Sequence, residues 1–75
     1  MEYIIDTKEL RKAMIDSGFK SITSLADEAN VSRHTITSIL NGKQRPSSTT
    51  IEALSVVLGL SGEDIGRIFF SQKLA

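Results

Sequence analysis

Stops and starts for a helix crowd this chain: Gly18 then Ser21, Asn30 then Ser32, Asn41 and Gly42 then Pro46 and Ser47, and Gly59 then Ser61. Glycine and asparagine accept the left-handed conformation that ends a helix, and a serine hydroxyl caps the free amides that begin one. Between these signals the apolar residues recur at intervals of three and four rather than two, which makes each segment a short amphipathic helix rather than a strand. The expected fold class is therefore all-α, a compact bundle of five short helices forming a single domain over residues 1–75.

Asp6 with Glu9 resembles a capping box and opens a first helix over about residues 7–17, which carries Leu10, Met14 and Ile15 before Gly18. Ser21 caps a second helix with Ile22, Leu25, Ala26 and Ala29 on one face. After Asn30 only Val31 intervenes before Ser32 caps a third, in which Ile36, Ile39 and Leu40 form the inward stripe. Pro46 and Ser47 open a fourth with Ile51, Leu54, Val57 and Leu58 inward, and Ser61 with Asp64 starts a fifth bearing Ile65, Ile68 and Phe69. Tyr3, Ile4 and Ile5 have strand propensity but nothing obvious to pair with, so they are expected to cover the core between the first and fifth helices. The alternative is self-association through an exposed edge.

Composition removes several functions. The chain has no cysteine, which excludes disulfides and thiolate metal sites, and its one histidine cannot build a metal site by itself. There is no Gly-rich phosphate loop, and Glu63 with Asp64 reads as the first turn of a helix, so neither enzymatic activity nor a cofactor nor a small-molecule substrate is expected. No apolar run approaches the roughly 20 residues that a membrane span needs, and the opening MEYIIDTKELRK is not a signal peptide. A cytoplasmic location is expected.

Nine basic and nine acidic side chains balance, an unusual total for a phosphate-binding protein, whose affinity comes from cations that release counterions. The balance is not uniform. From Ala29 to Ile51 there are Arg33, Lys43 and Arg45 and no acid, whereas residues 1–20 sum to zero and the tail cancels.

This acid-free stretch takes in a tight turn at Asn30, Val31 and Ser32 that joins two short helices, the local grammar of a helix-turn-helix over about residues 21–41. LADEANVSRHTITSILNGKQRP resembles the Cro and phage-repressor (xenobiotic-response-element-like) family of helix-turn-helix domains. The resemblance rests on Leu25 and Ala26, Val31 and Ser32, Ile36 and Ile39, Asn41 and Gly42, Pro46 and the later LSVVLGLS, and it covers about residues 8–65. It implies a lambda-repressor-like domain whose third helix enters the major groove. Bases would then be read by Arg33, His34 and Ser38 with Thr35 and Thr37 beside them, while Ser32, Asn41, Lys43, Gln44 and Arg45 would contact phosphates.

Two departures from the family are visible. Ile22 stands where many relatives carry a glutamine that touches phosphate, and Met14 and Leu40 replace a buried Arg and Glu pair found in some relatives. An apolar pair can be neutral or stabilising there, since no desolvated charges remain to be matched. With the sequence ending after its fifth helix, the expected likeness is to small stand-alone members: Cro-like repressors, restriction-modification controllers, antitoxins and the modulators that act with a partner repressor in a lysogeny switch. A double-stranded DNA operator is the expected partner, bound by a homodimer or by a hetero-complex with a repressor protein. The tail IGRIFFSQKLA offers a partner surface through Ile65, Phe69 and Phe70, with Phe70 beside the core stripe. The rival function is an antirepressor that holds another repressor protein away from its operator.

Overall fold

Each of the five helices begins on a side chain that accepts the amide three residues on. A computed structural model describes residues 3–72 of the chain, with helices α1 Thr7–Asp16, α2 Ile22–Ala29, α3 Arg33–Leu40, α4 Ser48–Leu58 and α5 Gly62–Phe69. Their caps are Asp6, Ser21, Ser32, Ser47 and Ser61, each satisfying one of the amides that a helix start leaves free. At α5 the device is reciprocal, with Asp64 accepting from the Ser61 amide at 3.0 Å while Ser61 accepts from the Asp64 amide at 3.1 Å. Pro46 is buried one position before the cap Ser47, outside the helix it was expected to open.

The ends of α1 to α4 are built alike. After each, a residue with positive φ (Gly18, Asn30, Gly42 and Gly59) turns the chain, and the next amide donates to the carbonyl five positions back in the last turn, closing a six-residue loop. These bonds run from Phe19 to Met14, Val31 to Ala26, Lys43 to Ser38 and Leu60 to Ser55, at 2.9 to 3.0 Å. Asn30, at φ 56°, is the one non-glycine among them, and its short amide side chain is the kind that tolerates this region.

The core gathers Leu10 and Met14 from α1, Leu25, Ala26 and Ala29 from α2, Ile36, Ile39 and Leu40 from α3, Leu54 and Leu58 from α4, and Ile68 and Phe69 from α5. Met14 and Leu40 both lie in this cluster, so the positions that hold an ion pair in some relatives are apolar and buried here. Ile15 does not join them. It is 72 % exposed, because one step along a helix from buried Met14 rotates a side chain by about 100°. Arg67 ties α5 to α1 at the surface, pairing with Glu9 at 2.7 Å and with Asp64 at 2.8 Å.

The N-terminal segment departs from the sequence-based expectation. Tyr3–Ile4 forms a short strand, β1, antiparallel to β2, Ser71–Gln72, with Tyr3 opposite Gln72 and Ile4 opposite Ser71. The strand propensity of Tyr3 and Ile4 thus finds a partner within the same chain, and the Asp6 amide extends the tie by donating to the Ile68 carbonyl at 2.8 Å. Ile5 packs against the core as expected of a cover, whereas Tyr3 and Ile4 are 45 % and 41 % exposed.

Candidate nucleic-acid interface

The turn between α2 and α3 is short because both helix ends are satisfied locally. Val31 closes α2 and packs against the core, and Ser32 begins α3 at the very next residue. Ala26, 3 % exposed on α2, leaves the close approach that two helices joined by so short a turn require. Ile36, Ile39 and Leu40 hold α3 by its inner face, which leaves Arg33, His34 and Thr37 exposed on the outer face and Ser38 half-buried at its margin.

Thr35 is held apart from that group. It is half-buried, and its Oγ1 accepts from the Ser32 hydroxyl at 2.8 Å while its amide donates to Ser32 Oγ at 3.1 Å. The Ser32 hydroxyl therefore has its proton engaged within the cap, so any role at a phosphate falls to the exposed start of the helix, where the amides and the local dipole favour an anion.

At the other end Gly42, at φ 71°, swings the chain outward into Lys43, Gln44 and Arg45, all exposed. This loop lies against β1: Tyr3, Ile4 and Ile5 line one side of a shallow cleft whose other side is Gly42 to Arg45. Arg45 is further placed by Phe70, with its guanidinium carbon 4.9 Å from the ring centroid. Among the described residues the ion pairs are those of Arg67, so the cations Arg33, Lys43 and Arg45 carry no carboxylate partner. Arg33, Lys43 and Arg45 are all exposed, and no acidic residue stands between Ala29 and Ile51.

Two contacts that support this surface carried no signal in the sequence. Arg11 on α1 donates to the Leu40 carbonyl at 3.2 Å, placing a cation at the C-terminal end of α3, which has no basic residue in its own last turn. The Phe70 ring, expected at a partner surface, is 42 % exposed but already meets Arg45, and its neighbour Tyr3 approaches edge-on with centroids 5.8 Å apart. Phe69, expected at the same partner surface, is 0 % exposed and belongs to the core, because the fifth helix turns its Ile68 and Phe69 side inward. Ile65 is half-buried and packs against that core. Ile22 likewise packs against the core, so this chain has an apolar brace where relatives have a polar one.

Among the described residues no group of three histidine or acidic side chains is placed to hold a metal, and no helix is long and apolar enough to cross a membrane. No curated protein and no solved structure gives a significant match to the chain. Residues 9–68 match the family model of the Cro/C1-type HTH DNA-binding domain, a span that takes in all of α2 to α4, most of α1 and all but the last residue of α5. With the short turn, the capped third helix and its outward polar face in place, the chain belongs to the Cro/C1-type family of helix-turn-helix DNA-binding domains.

Proposed function

We propose that the protein is a sequence-specific transcriptional regulator, a Cro-like repressor or lysogeny-switch regulator without catalytic activity, acting in the cytoplasm with α3 in the major groove of an operator. Arg33 grips a guanine through two donors, His34 and Ser38 donate or accept at base edges, and Thr37 and Thr35 offer methyl groups to thymine. Ser32 at the helix start, Asn41, Lys43, Gln44 and Arg45 fix the register on the backbone. The observation that supports this reading is the outward side of α3 and its loop, where the exposed cations Arg33, Lys43 and Arg45 have no carboxylate partner among the described residues and no acid stands between residues 29 and 51.

Three cations hold one half-site weakly, so specific binding calls for a second copy on a two-fold pseudo-palindrome, with half-sites about 34 Å apart. Ile65 and Phe70 remain available for that contact, in a groove shared with Ile51, Val56 and Leu60. The second reading, an antirepressor that binds a repressor protein, is favoured by Val56, 77 % exposed on α4, and by the zero net charge. Salt separates the two, since DNA binding weakens steeply as salt rises and an apolar interface scarcely responds.

Gel-shift titration on fragments of the protein's own upstream DNA tests the assignment. Arg33→Ala is expected to cut discrimination between operator and unrelated sequence by about tenfold, corresponding to the roughly 1–3 kcal/mol of a two-donor guanine contact. Lys43→Ala is expected to weaken binding to all fragments alike. If neither substitution alters binding to any fragment, the DNA-reading role of this surface is wrong.

A further inference from the structure

Arg45 has a long, mobile side chain in a loop, where a phosphate contact would lose much of its value to the entropy of ordering the chain. Its surroundings reduce that freedom. The guanidinium lies 4.9 Å from the centroid of Phe70, and Tyr3 meets that ring at an interplanar angle of 86°. Tyr3 belongs to β1 and Phe70 immediately precedes β2, so the pairing of Tyr3 with Gln72 and of Ile4 with Ser71 holds both rings in place. Ile4 and Ile5, with Tyr3, border the loop from Gly42 to Arg45.

A guanidinium against an aromatic face is attracted to it through the plane of the cation, while its N–H groups radiate from the edge of that plane. The contact of Arg45 with the Phe70 ring uses no oxygen acceptor of the protein. No described carboxylate or carbonyl takes the Arg45 N–H donors, in contrast to Arg67, whose donors are taken by Glu9 and Asp64. A structural arginine would be expected to resemble Arg67.

Resting on the DNA-binding role of the loop, we infer that Phe70, braced by Tyr3 and the β1–β2 pair, is a positioning residue that pre-orients Arg45 toward a DNA phosphate. The terminal strands are then part of the binding apparatus: they convert a flexible cation into an ordered one, and Phe70 contributes to affinity without touching DNA. Its contribution is independent of base sequence, because the group it aims reads only the backbone.

The test is fluorescence anisotropy with a labelled mixed-sequence duplex of about two helical turns, titrated from about 50 to 200 mM salt. Arg45→Ala is expected to reduce the slope of log affinity against log salt by about 0.9, the signature of one lost phosphate contact. Phe70→Leu is expected to weaken binding about two- to fivefold, the scale of an exposed cation–aromatic contact. That loss should disappear in the Arg45→Ala background, and Phe70→Trp should restore it. Tyr3→Leu, read in the same way, gives a second variant should Phe70→Leu lower the melting temperature enough to interfere.

Equal losses from Phe70→Leu with and without Arg45 would show that the ring acts through packing or through contact between copies, and would overturn the inference. So would wild-type binding by Phe70→Leu and Tyr3→Leu together with a reduced slope for Arg45→Ala. A wild-type protein that does not bind the duplex at the lowest salt would overturn the DNA-binding role of the loop as well, which keeps the two failures distinct.

Discussion

Arg11 and Asp64 show how single side chains away from α3 support it. Arg11 neutralises the C-terminal end of α3 through the Leu40 carbonyl, close to the turn that launches the basic loop. Arg11→Ala is expected to destabilise the fold by about 1 kcal/mol, the worth of one charged hydrogen bond at a partly exposed site, read as a lower midpoint in urea with an unchanged slope. Asp64 is held below its ordinary value of 3.8, first by the Ser61 amide and then by Arg67. A carboxylate depressed in the folded state contributes stability above its unfolded value and loses it as the pH falls through the folded one. Thermal melts of the wild type and of Asp64→Asn are therefore expected to differ at neutral pH and to converge under acid conditions below 3.8.

At the scale of the element, the ends of α1 to α4 share one backbone arrangement but not one chemistry. The residues joined by the six-residue bond are Met14 with Phe19, Ala26 with Val31, and Ser55 with Leu60, and in each the later residue packs against the core. At α3 they are Ser38 and Lys43. An apolar contact customarily accompanies this motif, and α3 alone gives it up for two polar residues on the proposed DNA-facing side. Lys43→Leu is expected to leave the melting temperature unchanged or raise it while weakening DNA binding, measured by calorimetry and anisotropy on the same sample. Such helix ends are written locally, so the five helices and their boundaries were legible from capping residues and apolar spacing. What the spacing did not reveal is which flank of a stripe faces out: Ile15 looked like a neighbour of Met14 and is exposed, and Thr35, beside the proposed readers, is half-buried with its hydroxyl bonded to Ser32.

Across the whole molecule, the features that escaped the sequence are those that join distant residues. Tyr3 and Ile4 announce a strand, but their partners stand at the far end of the chain, and two-residue strands carry no pattern of their own. Arg45 with Phe70 and Arg11 with Leu40 have the same character, since neither partner's surroundings in the sequence mark the other. The outward face of α3 and the charge of its loop were readable because a helix-turn-helix keeps its reading surface within one short run of residues.

The pairing of β1 with β2 has one more consequence, for the order in which the chain is strung. Tyr3 stands opposite Gln72, so a turn of a few residues replacing those beyond them would make the strands a hairpin, and new ends could be cut before Ser21, next to exposed Lys20. In that circular permutant the most distant contact becomes the most local, while Ser21 still caps α2 and every residue from Arg33 to Arg45 keeps its neighbours. Refolding is expected to be faster than in the native order, since closing a hairpin takes less chain entropy than closing the whole domain, and stopped-flow refolding would measure it.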